Sequence, residues 1–239
     1  MPKVSVIVPS YNYAEYIGTC IESILGQEGF SDFELIIVDD ASRDDSVEVI
    51  RRYAADPRVV FVRHEENQGH IRTINHGFRL ARGEYLAHVG SDDYWDPRFL
   101  ATCVPILDAH AEVGLVHSNC ATVEADGSIG EERASNIPVP AGFKGSELVP
   151  LLYENYFPPH GTLFRRAGLE LIGGEYSLAL PYSEDWRLWL AIFFSSEATS
   201  FCSSVFRSSI AESCTRSRVS RAALKAVSSA ISFLPSGVS

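Results

Sequence analysis

Gly83-Glu84-Tyr85-Leu86-Ala87-His88-Val89-Gly90-Ser91-Asp92-Asp93-Tyr94-Trp95 runs an apolar strand straight into two adjacent carboxylates. The run from Glu84 to Val89 has a continuous apolar face rather than a polar–apolar alternation. That pattern marks a strand covered on both sides, the habit of parallel sheets flanked by helices. Burying a like-charged pair at a strand end costs several kcal/mol unless a cation or hydrogen-bond donors compensate, so Asp92 and Asp93 read as ligand-facing. Hard oxygen ligands there suit Mg²⁺ or Mn²⁺ carrying a phosphate. A second reading stays open at this point: both acids on a solvated turn before a helix opened by Pro97 and capped by Asp96.

Upstream, the same kind of strand recurs between helical stripes. Val4 to Pro9 is a short β-branched run, and from Ala14 to Leu25 apolar residues fall at helical spacing through Tyr16, Ile17, Cys20, Ile21, Ile24 and Leu25. Glu34 to Val38 repeats the strand signal, and Asp44-Asp45-Ser46 caps a helix running through Val47, Ile50 and Tyr53. A third strand spans Arg58 to Arg63, and His70 to Ala81 carries the next helical stripe. Regular β–α alternation predicts a parallel sheet with ligands beyond the carboxyl ends of its strands. Three polar clusters fall at those ends: Ser10-Tyr11-Asn12, Asp39-Asp40 and Asp92-Asp93.

Composition narrows the classes. The 239 residues are 46% hydrophobic and 21% charged, enough for one large α/β domain, and no stretch is long and apolar enough to span a bilayer. Met1-Pro2-Lys3-Val4 leads straight into a strand, so no signal peptide and a cytoplasmic location are expected. A formal net charge of −11 argues against nucleic acid as partner, since backbone binding needs clustered Lys and Arg. Cys20, Cys103, Cys120, Cys202 and Cys214 form no zinc spacing and read as reduced, mostly buried thiols.

Past Val104 the alternation loosens. Val113 to His117 reads as a strand, Asn119 to Val123 and Ile129 to Arg133 as a hairpin around Asp126-Gly127, and Asn136 to Phe143 as a Pro-rich loop. Leu163 to Arg166, followed by Gly173-Gly174, closes a small α+β region, and Ser183 can cap a helix with Glu184 and Asp185 in its first turn. From Phe194 the chain turns Ser- and Arg-rich, without a clear period until Ala222 to Ile231. A flexible extension, an amphipathic helix on a membrane surface, and a sequence altered by a reading-frame change all remain open for 194–239.

Taken in order, Val6-Ile7-Val8-Pro9-Ser10-Tyr11-Asn12, Val38-Asp39-Asp40-Ala41-Ser42-Arg43-Asp44, Asn67-Gln68-Gly69 with Asn75 and Gly77, Gly83-Glu84-Tyr85 with Ser91-Asp92-Asp93, and Glu184-Asp185-Trp186 make the chain resemble the family-two nucleotide-sugar glycosyltransferases. The resemblance covers roughly residues 3 to 193. It implies the GT-A fold: a Rossmann-like, mostly parallel sheet flanked by helices, with a smaller acceptor-side α+β region. Residues 1–193 would form the catalytic domain, 1–103 its nucleotide-sugar half and 104–193 its acceptor half. The implied activity is inverting transfer of one sugar from a nucleoside diphosphate to a hydroxyl of a glycan or lipid-linked acceptor, in polysaccharide or cell-envelope synthesis.

Residue by residue, the resemblance implies that Pro9, Tyr11 and Asp40 hold the base, Asp92 the ribose, and Asp93 a Mn²⁺ or Mg²⁺ bridging the diphosphate. An aromatic stacks on a base and a carboxylate accepts its imino N–H, which suits Tyr11 and Asp40 to that task. For Asp39 and Asp40 turn and cap chemistry is the competing reading, given Ser42 and Asp44 nearby. The commonest family pattern has a further acid where Gly90 stands, and an Arg where Ile74 stands. Arg72 is then the candidate diphosphate contact, against the plainer reading of a surface arginine. Asp185 matches the base that takes the acceptor proton, with Glu184 beside it; the alternative is that both simply favour a first helical turn. His160 lies where the acceptor is expected and reads as a solvated loop histidine. Trp95, Trp186 and Trp189 could stack on a sugar, with helical spacing assigning Trp189 to the core; His88 and His117 read as hydrogen-bonded core residues.

Two rival functions remain on the sequence. A sugar-phosphate nucleotidyltransferase would carry a Gly-rich phosphate loop with Lys or Arg where this chain has Pro9-Ser10-Tyr11-Asn12. A catalytically inactive nucleotide-sugar-binding module would keep the motifs without turnover. The lack of GxGxxG after the first strand argues against a dinucleotide-dependent oxidoreductase.

Overall fold

Val4–Ser10 (β1), Phe33–Asp39 (β2), Val59–Arg63 (β3) and Tyr85–His88 (β4) lie side by side in the order β3-β2-β1-β4, every pair parallel. Every residue of β1, β2 and β4 is buried, as the continuous apolar run before Asp92 predicts. The computed structural model describes residues 1–118, 120–123, 128, 130, 142–144, 155, 159–180, 183–194, 200–203 and 215–217.

Side chains alternate across these strands and so feed two cores. Val4, Val6, Val8, Leu35, Ile37, Tyr85 and Ala87 pack on one face, against Ile17–Leu25 (α1) and Phe99–Ala109 (α4). Ile7, Ile36, Val38 and Leu86 pack on the other, against His70–Leu80 (α3) and Glu184–Phe194 (α6). The short helices Ser46–Arg51 (α2) and Arg166–Glu170 (α5) complete the layers.

Beyond β4 the sheet changes direction. Thr162–Arg165 (β8) pairs antiparallel with β4 on one side and with Val113–His117 (β5) on the other, so the six central strands run β3-β2-β1-β4-β8-β5. Ser200–Ser203 (β9) and Gly142–Lys144 (β7) extend the edge beyond β5 to make eight strands, and Cys120–Thr122 (β6) pairs separately with Thr215–Ser217 (β10). Among the described residues no helix is long and apolar enough to cross a membrane. The expected hairpin turn at Asp126-Gly127, most of the Pro-rich loop, and Ala222 to Ile231 lie outside the described residues.

Two helices, α1 and α4, begin later than their sequence stripes, and α2 keeps its start while Asp44 takes another role. Residues before α1 are held by the β2–α2 loop instead: Tyr13 N–H donates to Ser46 Oγ at 2.9 Å and Ala14 N–H to Asp44 Oδ2 at 3.0 Å. Asp44 also accepts the Ser46 N–H at 3.1 Å, so it braces the loop ahead of α2 rather than capping from within it. Pro97 does not open α4. Asp96 Oδ1 takes the Arg98 N–H at 2.9 Å, and the Pro97 carbonyl accepts the Glu28 N–H at 2.7 Å, which delays the first helical residue to Phe99.

Candidate active site

A parallel sheet gathers the carboxyl ends of its strands on one edge, and there Ser10, Asp39 and Arg63 stand level, Ser10 opposite Asp39 and Asp39 opposite Arg63. Serine and asparagine side chains then lace the loops together. Asn12, at φ +59°, gives its N–H to Ser42 Oγ (2.9 Å) and accepts the Arg43 N–H on Oδ1 (2.8 Å). Ser91 Oγ donates to the Pro9 carbonyl at 2.5 Å, tying the acidic loop to β1. Tyr11, 37% exposed, is left with an open ring on this edge.

Asp40 is buried and occupied. Its Oδ1 accepts the Gln68 N–H at 2.8 Å and faces His64 Nδ1 at 2.8 Å, while Oδ2 accepts the Gly69 N–H at 2.8 Å. Burial pushes the carboxyl up, but those three donors outweigh it and hold the pKa below the usual carboxylate range. Gly69 reaches Asp40 with φ +90°, a conformation that favours glycine and so accounts for the Asn67-Gln68-Gly69 signature. Asp39, fully buried, accepts the Ser42 N–H on Oδ1 at 3.0 Å, which is the turn chemistry weighed for it. Its Oδ2 and the Ser10 hydroxyl are both buried without a hydrogen-bond partner among the described residues.

Asp92 and Asp93 follow β4. A Cβ placed on Gly90 would meet Asp92 Oδ1 and Asp93 Oδ2, each at 2.9 Å, so both carboxylates lean into the space a third acid would need. Asp93 is 6% exposed and pairs through Oδ2 with His160 Nδ1 at 3.0 Å. The sheet explains this pairing. Tyr85 stands opposite Arg165 and Leu86 opposite Phe164, and this register, continued past both strand ends, brings His160 level with Gly90. Trp95 then fixes the turn, donating Nε1–H to the His160 carbonyl at 2.6 Å. Trp95 is 2% exposed and tilted against Phe99, so it supports the acidic loop rather than offering a face to a sugar.

His160 is therefore no solvated loop residue. Burial lowers its pKa, yet the Asp93 carboxylate, together with Cys120, overcomes that and lifts it well above the ordinary histidine value. Tyr13 and Cys20 feel the same acids: burial first, then Asp92 and Asp93, raise both of their pKa values. The histidine of the pair, 67 positions downstream of Asp93, was legible only as a loop residue, because the contact depends on the antiparallel strand that follows it.

Asp185 and Glu184 open α6, whose buried Leu188, Trp189 and Ile192 hold the helix against the sheet. Trp189 is core, as its spacing predicts. Asp185 is 6% exposed; its Oδ1 accepts the Trp186 N–H at 2.8 Å and its Oδ2 the Asn155 Nδ2–H at 3.0 Å. Burial dominates and, with the Glu184 charge adding to it against the Asn155 bond, pushes the carboxyl up to about 6. Glu184 Oε2 is buried with no partner among the described residues.

The two acidic clusters are coupled electrostatically through a row of histidines. His88, driven down to about 3 by burial, feels both His160 and His70. His70, at the start of α3, is lowered by partial desolvation and raised by Glu184 and Asp40. His70 stands out only once the fold is known, its sequence signal being a histidine directly after Gly69. His88 also meets Tyr176 Oη at 3.3 Å, in keeping with a hydrogen-bonded core histidine. Arg72 is exposed in the first turn of α3, two residues past His70.

The donor set at Asp93 fits a divalent cation that the substrate completes. Among the described residues no three His, Cys, Asp or Glu side chains form a ready-made cage. Mn²⁺ and Mg²⁺ on phosphates need only one or two protein ligands, and Asp93 with its carboxylate neighbour Asp92 supplies that number, while His160, charged against Asp93, steadies the carboxylate rather than ligating.

Residues 5–171 match the family model described as glycosyl transferase family 2. The chain belongs to that family. An uncharacterized glycosyltransferase of Nostoc sp. is 31% identical over 190 residues, covering 78% of this chain and 56% of its own length. EpsE of Bacillus subtilis, named as a glycosyltransferase, is 31% identical over 197 residues, 80% of this chain and 67% of EpsE. An Escherichia coli chondroitin synthase is 32% identical over 130 residues, which is 54% of this chain and 19% of the synthase. Among solved structures, residues 1–349 of S. aureus TarS in complex with UDP-GlcNAc superpose with a TM-score of 0.69 at 22% identity, over 93% of this chain and 60% of that one. The Pyrobaculum calidifontis mannosyltransferase PcManGT, in complex with GDP-Man and Mn²⁺, gives 0.64 at 22% identity, over 92% of this chain and 58% of that one. The fold is thus GT-A, and this family 2 chain spans a little over half the length of several proteins it matches.

Proposed function

We propose that this family 2 glycosyltransferase moves one sugar from a nucleoside diphosphate to a hydroxyl of a glycan or lipid-linked acceptor, inverting the anomeric centre. The observation that carries the reading is Asp185: a buried carboxylate at a helix start, tuned to about 6, joined electrostatically to the Asp92-Asp93 pair through His70, His88 and His160. A base that is mostly ionised at neutral pH yet still avid for a proton is what the acceptor hydroxyl requires. Asp185 takes that proton as the acceptor oxygen bonds to the anomeric carbon; the bond from that carbon to the diphosphate breaks on the opposite side, and the nucleotide leaves with the electron pair. No enzyme nucleophile enters the scheme.

Donor contacts follow from the crevice. Tyr11 stacks on the base beside Pro9, Asp40 accepts an imino N–H on Oδ2, which holds a single donor, Asp92 takes the ribose, and Arg72 reaches the diphosphate. A divalent cation on Asp93 would neutralise the charge of the departing diphosphate. TarS with UDP-GlcNAc and PcManGT with GDP-Man and Mn²⁺ support a nucleotide-sugar donor. Residues 1–103 would supply the donor half and 104–193 the acceptor half, with catalysis on the cytoplasmic side of the membrane.

The test is nucleoside diphosphate release from a panel of UDP- and GDP-sugars with Mn²⁺, with and without glycan acceptors. Asp185→Asn should bind donor as the parent does and lose at least a hundredfold in turnover, the low end of general-base contributions. Full turnover in that variant would remove Asp185 from the base role.

A further inference from the structure

Resting on that reading, we propose that Asn155 is the positioning residue of the catalytic base: its side-chain amide holds the Asp185 carboxylate ionised and fixed in orientation. Asn155 Nδ2 lies 3.0 Å from Asp185 Oδ2, and the backbone N–H of Trp186 lies 2.8 Å from Oδ1. Each oxygen thus has one fixed donor, which sets the plane of the carboxylate and leaves the remaining lone pairs for a substrate proton. The orientation of the amide follows from chemistry, because only its nitrogen can donate to a carboxylate.

Among the described residues around Asp185, this is the side-chain donor that favours the charged form. Glu184 beside it opposes ionisation, and Tyr176, from the segment between α5 and α6, offers a phenol whose own pKa burial and the two acids raise. His70 faces Glu184 from α3. Asn155 therefore stands between Asp185 and a proton held too tightly to release. Its Oδ1 is buried with no partner among the described residues, so the amide spends its only described bond on the base.

The experiment uses the full chain labelled with ¹³Cγ-aspartate, the Asp185 signal being assigned by its loss in Asp185→Asn. In the parent that signal should titrate near 6. In Asn155→Ala its midpoint should rise by about one unit, the usual worth of a lost hydrogen bond to a charged group, while the nucleotide Kd stays within about twofold. The isosteric Asn155→Asp, which sets a second carboxylate against Oδ2, should raise it further and serves if the alanine variant does not fold. A midpoint that moves less than about 0.3 unit in either folded variant overturns the positioning role. The acid limb of nucleotide-sugar hydrolysis should track the same midpoint. Should the midpoint move while that limb stays put, Asn155 still holds Asp185 and it is the base assignment that falls.

Discussion

In the proposed role of general base, Asp185 trades stability for chemistry. Its folded pKa, about 6, lies above the ordinary aspartate value of 3.8, so the folded state binds more protons between those limits. Stability therefore falls as pH climbs through that window, by up to about 3 kcal/mol at neutral pH. Asp185→Asn removes the ionisable group and should raise Tm at pH 7.5 while leaving it nearly unchanged at pH 3, below both values, read by paired thermal melts. Turnover in the parent should rise with pH through about 6, since only the ionised carboxylate accepts a proton. Single residues were also where the sequence was least explicit. Asp92, Asp93 and Asp185 could be named from their motifs, but His160 could not be linked to Asp93, nor Asn155 to Asp185, because each contact spans tens of residues and exists only after the strands are ordered. Gly90 is the exception: its departure from the acidic pattern was visible, and the structure supplies the physical counterpart in two carboxylates occupying the room.

At the scale of elements, tight contacts at glycine and a clamp at asparagine hold the crevice in place. A Cβ on Gly83 would stand 2.5 Å from the Ser5 nitrogen and 2.7 Å from the Val4 carbonyl carbon, backbone that cannot step aside. Gly83→Ala should cost about 1–3 kcal/mol, as overpacking against fixed atoms does, measured as a drop in denaturation midpoint at constant m. Asn75 acts on a longer reach. Its Nδ2 donates to the Tyr176 carbonyl at 2.9 Å and its Oδ1 accepts the Tyr176 N–H at 2.8 Å, so one amide pins the segment ahead of α6 to α3. Asn75→Ala leaves both backbone groups buried and unpaired and should cost about 2–4 kcal/mol by urea denaturation. Strands and helices of the first half were legible because their apolar periods are unambiguous. Helix starts were not, because Ser46, Asp44 and Asp96 divert the preceding N–H groups into loop bonds that no periodicity reports.

Across the whole molecule, the two ends of the parallel strands do different work. The amino ends are locked by charge: Lys3 bridges Glu84 and Asp108, both at 2.8 Å, and buried Glu34 holds Arg82 at 2.6 Å. The carboxyl ends keep buried polar atoms without partners, Ser10 Oγ and Asp39 Oδ2 among the described residues, with Asp92 and Asp93 converging beside them. An edge built that way costs stability unless a ligand occupies it. The switch to antiparallel pairing at β8 completes the division by returning the chain to the same edge with His160. The parallel half of this plan could be read from alternation alone, whereas the inserted strand could not, since Leu163 to Arg166 carries no mark of which neighbours it will take. The central claim, a cation-held nucleoside diphosphate at Asp93, is tested most directly by paramagnetic broadening of backbone NMR signals on adding Mn²⁺ with UDP or GDP. Signals of Gly90, Asp93 and Gly161 should vanish first, while those of Lys3, Glu34 and Arg82 at the far edge persist. Broadening centred on the Lys3–Glu84–Asp108 cluster, or none at the acidic loop with either nucleotide, would contradict the account.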